Sequence, residues 1–281
     1  MKILVEVDQQ QDPSFMVRQV AELAGNTWAN ITFLGICPDE KEAKETAAKL
    51  DACRDMLLSE IEGEVSPYES HSSEYTLVKL EKGVWEQQYE GKAGRKDLSF
   101  RIRCGNPGRA IVSESMDTNA DLIVMSGGNG GSGLWTGDTL KKVVRNASCS
   151  VLALKEEKKP QMIVCCLDQD TVTQSSIELI NQLVTLYGAE LEIVGVTDSA
   201  GLPGEVDRRM ASILSYYTDR GVKAWVRLVD SASLKAFVAQ AEKNNLLALW
   251  MGKESLLDRI FSRQRLAEMV KSAESSILIL R

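Results

Sequence analysis

The residues best suited to chemistry lie between Ser126 and Thr139: Ser-Gly-Gly-Asn-Gly-Gly-Ser-Gly-Leu-Trp-Thr-Gly-Asp-Thr, with six glycines. Glycine lets successive backbone N–H groups converge, and a helix beginning just after them favours an anion, so the stretch reads as a phosphate cradle. Asp138 or Thr139 is placed to cap the helix expected from about Leu140 to Asn146. The plainer reading is a flexible connection without a ligand. The second candidate is Asp8, an acidic residue at the end of the apolar run Ile3-Leu-Val-Glu-Val. Other chemistry is poorly served. The single histidine, His71, sits in the polar stretch Glu69-Ser-His-Ser-Ser-Glu74, so a Ser-His-Asp or Cys-His machine would depend on one loop residue. The cysteines Cys37, Cys53, Cys104, Cys149, Cys165 and Cys166 contain no CxxC pair for zinc or redox work. Most lie in apolar runs, and the expectation is six reduced thiols acting as small core hydrophobes of a cytosolic protein.

The elements that position these residues occur twice. Ile3-Leu-Val-Glu-Val-Asp8 matches Ile163-Val-Cys-Cys-Leu-Asp168, and Ile31-Thr-Phe-Leu-Gly-Ile36 matches Leu191-Glu-Ile-Val-Gly-Val196, both 160 residues apart. Asp121-Leu-Ile-Val-Met-Ser-Gly127 matches Leu246-Leu-Ala-Leu-Trp-Met-Gly252 at an offset of 125, and Ser150-Val-Leu-Ala-Leu-Lys155 matches Ser276-Ile-Leu-Ile-Leu-Arg281 at 126. The drop from 160 to 125 predicts 35 extra residues in the first copy, within 64–97. That insertion carries Tyr68, Tyr75, Trp85 and Tyr89 among charges, readable as a partner surface or as packing over a sheet edge. Residues 155–160, Lys-Glu-Glu-Lys-Lys-Pro, read as a linker between a first domain, 1–154, and a second, 161–281.

Apolar runs rich in Val, Ile and Leu predict strands buried on both faces. Between them, Phe15–Ala24, Ala43–Ile61, Ala110–Met116, Ile177–Val184 and Leu234–Ala241 carry helical spacing. Strands alternating with helices make βαβ units, so each half is expected to be a β-α-β-α-β-α-β-α-β doubly wound parallel sheet of the α/β class. Ligands bind such sheets at the carboxyl ends of the strands, where Asp8 and the glycine loop fall. In the second half the loop has become Gly252-Lys-Glu-Ser-Leu-Leu-Asp-Arg-Ile-Phe-Ser-Arg-Gln-Arg265, with one glycine. Its bulky residues cannot offer backbone in the same way. Lys253, Arg259, Arg263 and Arg265 read as a solvated basic face, and Asp168 as a turn or cap residue.

The Ile-Leu-Val-Glu-Val-Asp opening, the Gly105-Asn-Pro107 turn, the strand Ala120–Met125 with its glycine loop, and Val143-Val-Arg-Asn-Ala-Ser-Cys-Ser-Val-Leu-Ala-Leu154 together resemble the universal stress protein family in its tandem two-domain form. The closing stretch has Ser150 where that family usually has proline. The resemblance implies two Rossmann-like domains of the adenine nucleotide alpha hydrolase type. It implies a non-catalytic regulatory protein that binds ATP, with Mg²⁺, or another adenine nucleotide in its first domain only. Carried over residue by residue, Asp8 and the Ile36 backbone hold adenosine, and Gly127, Gly130 and Gly137 form the G-x2-G…G phosphate loop. This loop is shorter than the family's, six residues instead of nine before Gly137, and Asp138 stands where Ser or Thr is usual. Thr139 supplies a hydroxyl one position later. The alternative is a scaffold whose loops have lost the nucleotide. A third reading, a slow ATPase, finds no base, metal cluster or nucleophile–base pair in the sequence to carry it. In one-domain relatives the last strands pair, so Val151–Leu154 and Ile277–Leu280 are expected to make an intramolecular pseudo-dimer.

Composition narrows the partners. Of 281 residues 44% are hydrophobic and 26% charged, ordinary for a globular chain, and the formal net charge of −7 leaves no basic stripe for nucleic acid. The longest apolar run, Leu246–Met251, is far short of the ~20 residues that span a bilayer. The first eight residues lack the apolar core of a secretion signal, which leads to the expectation of a cytoplasmic protein.

Overall fold

The computed structural model describes residues 1–61, 67–68, 75–89, 95–127, 137–155, 159–167, 172–197, 204–243, 245–252, 257 and 260–281. The chain divides into two compact units, Met1–Val151 and Leu152–Arg281.

The first unit is built on parallel strands β1 (Lys2–Val7), β2 (Asn30–Cys37), β5 (Leu98–Cys104) and β6 (Leu122–Ser126), arranged β6-β1-β2-β5. Helices α1 (Ser14–Thr27), α2 (Ala43–Glu60), α3 (Pro107–Asp117) and α4 (Gly137–Asn146) connect them. Strand β7 (Ser150–Leu154) carries the chain across the unit boundary. Because β1 to β2 to β5 run in one direction and the chain then returns to β6, α1 packs with α2 and α3 with α4. The strands are apolar on both faces because both are covered. Leu4, Val5, Ile31, Phe33, Phe100 and Ile123 are all buried, each worth roughly 1.5–3 kcal/mol relative to exposure. Gly35 fixes how close α2 lies: a methyl built there would collide with Thr46 Cγ2 and come within 2.9 Å of Leu50 Cδ1.

The insertion forms an antiparallel hairpin, β3 (Tyr75–Glu81) and β4 (Val84–Tyr89), and β4 pairs antiparallel with β5. Of the two readings of its aromatics, packing over the sheet edge holds. Trp85 is buried opposite Ile102, Tyr75 meets Phe100 edge-on at 5.2 Å, and buried Tyr68 donates its hydroxyl to the Ala29 carbonyl. A two-residue Lys82–Gly83 turn, with Gly83 at φ 75°, closes the hairpin. Charges secure it further. Arg101 binds Glu86 and Glu114, Arg103 binds Glu114 and Asp117, and Glu114 is fully buried between the guanidiniums.

The cysteine expectation needs correction at two positions. Cys37 and Cys104 are in-register neighbours on β2 and β5, their Cα atoms 4.7 Å apart, and they are joined as a disulfide. Parallel pairing brought together residues 67 apart in sequence, which neither local pattern nor spacing foretells. Cys53, Cys149, Cys165 and Cys166 remain free thiols.

The second unit repeats the plan: β8 (Met162–Cys166), α5 (Gln174–Tyr187), β9 (Glu190–Thr197), α6 (Gly204–Thr218), β10 (Ala224–Asp230), α7 (Leu234–Ala241), β11 (Leu246–Trp250), α8 (Arg263–Ser272) and β12 (Ile277–Leu280). Its order is β10-β9-β8-β11-β12, all parallel. Among the described residues no strand pairs with the outer side of β10. Among the described residues no helix is long and apolar enough to cross a membrane.

Candidate functional site

At the carboxyl edge of the first unit, β1 has β2 on one side and β6 on the other, and the connections leave in opposite directions. This is the crevice where doubly wound sheets take ligands. Asp8 follows β1 directly and is buried, with Oδ1 accepting the Gln10 N–H at 2.9 Å. Burial pushes its carboxyl above the usual range, while hydrogen bonds from the Gln10 backbone and the Gln11 side chain pull it back in part. Gln11 also reaches β6, where its Oε1 accepts the Ser126 hydroxyl at 3.0 Å. One side chain thus ties the ends of β1 and β6 to the aspartate. The sequence did not mark Gln11 or its bond to Ser126, because their meeting is tertiary.

Ile36 is buried near the end of β2. The Cys37 carbonyl accepts from Gly105 on the β5 side at 2.9 Å, so alternation along the strand turns the Ile36 N–H and C=O toward β1. Beneath Asp8, on the same face of β1, lies Glu6. It is buried, and its carboxyl is raised to about 8, first by burial and then by the nearby Asp8 charge. Glu6 is therefore mostly neutral at pH 7, which leaves the floor with less negative charge than the sequence suggests.

Gly127 follows β6 and is buried. Gly130 and most of the glycine loop lie outside the described residues. Helix α4 begins at Gly137, three residues earlier than the expected Leu140. Asp138 and Thr139 therefore stand inside its first turn, not at a cap position. Asp138 is exposed and lies 3.9 Å from Lys141, complementing the positive end of the helix, whereas Thr139 is buried. The structure brings Asp8 and Ile36 to one edge, with Gly127 and the first turn of α4 at the end of the neighbouring β6–α4 connection. Among the described residues no group of three His, Cys, Asp or Glu side chains is placed to hold a metal ion.

The second unit differs at the matching position. Gly252 matches Gly127, but the Trp250 indole folds over it: a methyl on Gly252 would sit 2.7 Å from Trp250 Cζ2. Trp250 is buried. Ser262 caps α8, its hydroxyl accepting from the Arg265 N–H at 3.3 Å, and Arg263 and Arg265 are exposed at that helix start. Asp168, Lys253 and Arg259 lie outside the described residues.

Known proteins match this architecture. A universal stress protein from Archaeoglobus fulgidus has the same fold at a TM-score of 0.62 and 13% identity, covering 100% of this chain and 96% of that one. A functionally unknown protein from Pseudomonas aeruginosa gives 0.58 at 14% identity, covering 99% and 92%. The cytoplasmic domain of a prokaryotic cation chloride cotransporter gives 0.51 at 11%, covering 99% and 94%. At such identities the likeness shows the fold alone. No curated protein matches in sequence. The model of the universal stress protein family matches residues 1–155, more than half of the sequence. Together with the doubly wound fold repeated in both units, that match places the chain in the universal stress protein family.

Proposed function

We propose that the chain is a non-catalytic regulator that binds an adenine nucleotide, ATP with Mg²⁺, in its first unit only. The observation that carries this reading is the preformed edge around Asp8: a buried carboxylate held by Gln10 and Gln11 beside the Ile36 backbone. In this reading Asp8 and the Ile36 main chain take the adenosine. Gly127, Gly130 and Gly137 offer backbone N–H groups to the phosphates, and Thr139 a hydroxyl. The residues fit the nucleoside better than the phosphate tail, since Asp138 adds a charge at the start of α4 that opposes an anion. Magnesium, when bound, neutralises phosphate oxygens. The ligand state then acts through protein partners in the cytoplasm, and the domains are read as 1–154 and 161–281 about a linker at 155–160.

Asp138 also favours a second reading, an interaction module that has lost its nucleotide. Titration of the intact chain with ATP by calorimetry separates the two. Saturable binding, lost in Gly130→Val, supports the nucleotide reading. No saturable binding supports the module, and binding unchanged by Gly130→Val moves the ligand elsewhere.

A further inference from the structure

The third parallel strand of each unit occupies the same place in the repeat but meets a different neighbour. Gly35 matches Gly195, and these pair in register with Ile102 on β5 and Leu228 on β10. Leu228 therefore stands where the first unit has Ile102, and Arg227 where it has Arg101. In the first unit β4 adds antiparallel along that edge, with Trp85 opposite Ile102 and Glu86 opposite Arg101. Ile102 is 0% exposed beneath it, and Arg101 holds Glu86 at 2.6 Å. In the second unit, among the described residues, no strand lies beyond β10, and Leu228 is 54% exposed.

The main chain of β10 is set for the same addition. The Lys223 carbonyl accepts the Leu191 N–H at 2.9 Å, and Ser231 donates to the Thr197 carbonyl at 2.8 Å. Odd-numbered residues thus turn toward β9, and alternation points the N–H and C=O groups of Ala224, Val226 and Leu228 outward. The first unit uses this same row: Cys104, which matches Asp230, gives its outward N–H to the Gly83 carbonyl of the hairpin turn at 2.8 Å.

Charge completes the match. Arg101 divides its guanidinium between Glu86 of the added strand and Glu114 of α3. Arg227 binds the buried Glu192 through Nε at 2.7 Å, and its terminal nitrogens have no acceptor among the described residues. The place of Glu86 is open. A second copy of β10 does not fill it, because Ala-Trp-Val-Arg-Leu-Val-Asp contains no aromatic residue followed by an acid.

We propose that the outer edge of β10 docks an extended segment of another protein, added antiparallel, with an aromatic residue opposite Leu228 and, next along the segment, a carboxylate opposite Arg227. Main-chain hydrogen bonds supply the affinity, and the two side chains supply the register. The first unit carries such a strand of its own, whereas the second takes it from a partner. The proposal does not depend on whether a nucleotide binds the first unit.

The probe is a fluorescein-labelled peptide of residues 83–89, Gly-Val-Trp-Glu-Gln-Gln-Tyr, which carries the pair in the required order. Fluorescence anisotropy on the full chain is expected to show saturable binding. Glu86→Lys in the peptide should weaken it roughly two- to fivefold, by setting like charges opposite each other. Leu228→Pro removes an outward donor and the apolar side chain together, and should weaken binding roughly tenfold. Leu228→Lys leaves the backbone intact and should lose roughly two- to fivefold; it is the variant read if proline lowers the thermal midpoint. Absence of saturable binding overturns the proposal. So does binding that the folded Leu228 variants leave unchanged, which places the peptide elsewhere. A wild-type dimer in sedimentation that Leu228→Lys dissociates assigns the edge to a second copy and overturns it as well.

Discussion

The two units share one topology but differ at the positions that form the carboxyl-edge crevice. Where the first has Glu6 beneath Asp8, the second has the thiol of Cys166, 160 residues on. Where the first has Met125 before its glycine loop, the second has Trp250 with its indole against Gly252. At the ends of the second and third parallel strands, Cys37 is bonded to Cys104, while the matching Thr197 pairs in register with Asp230. The edge beyond β5 is covered by a hairpin, whereas among the described residues no strand lies beyond β10. A duplicated fold keeps its buried strands because packing demands them, whereas the rim is free to diverge. In the second copy a buried indole lies against Gly252, where the first copy has Met125 before Gly127.

That contrast can be broken deliberately. The largest effect is expected from Trp250→Ala. Removing a buried indole should cost about 4 kcal/mol of stability in urea unfolding, without creating ATP affinity, because the second loop has one glycine in place of six. A gain of ATP binding would mean that the ring alone closed the second site.

Opening the link in the first unit comes next. Cys37→Ser with Cys104→Ser should lower stability by about 3 kcal/mol. Alkylation of the unfolded, unreduced wild type should label four thiols, rising to six after reduction. Six at the outset would remove this difference between the units.

The Glu6 substitution separates the units by pH. Its carboxyl is raised from 4.5 to about 8 in the fold, so the folded state holds a proton that the unfolded chain has released. The stability this confers is fully present below about pH 4.5 and is lost as the pH rises toward 8. At pH 7 the charged form's burial costs about 3 kcal/mol relative to acid conditions. Glu6→Gln should therefore flatten thermal midpoints between pH 5 and 8, and stand above the wild type at pH 8. The Cys166 thiol, pushed up to about 12 by burial, does not titrate in that window. Parallel wild-type and variant curves would discard the assignment.

Much of the fold was legible because four strand matches recur in order and helical spacing lies between them. Leu234–Ala241 was delimited in full, and the position of Asp8 directly after a strand was readable from the apolar run before it. What escaped were facts of register and tertiary meeting. The Cys37–Cys104 bond needs β2 and β5 aligned residue against residue. Gln11 gains meaning only when Ser126 comes beside it. Asp138 and Thr139 were misplaced because α4 starts at Gly137, and a glycine inside a first turn gives a weak boundary signal. Trp250 read as one more apolar residue of a strand, although its ring lies against Gly252.

The central claim is that one unit binds and the other does not, so stoichiometry tests it most directly. Calorimetric titration of the intact chain with Mg·ATP should give one site per chain. Asp8→Ala should weaken that site by about 2 kcal/mol, roughly 30-fold, through loss of a charged hydrogen-bond acceptor. Two sites per chain, or one site indifferent to Asp8→Ala, would contradict the account.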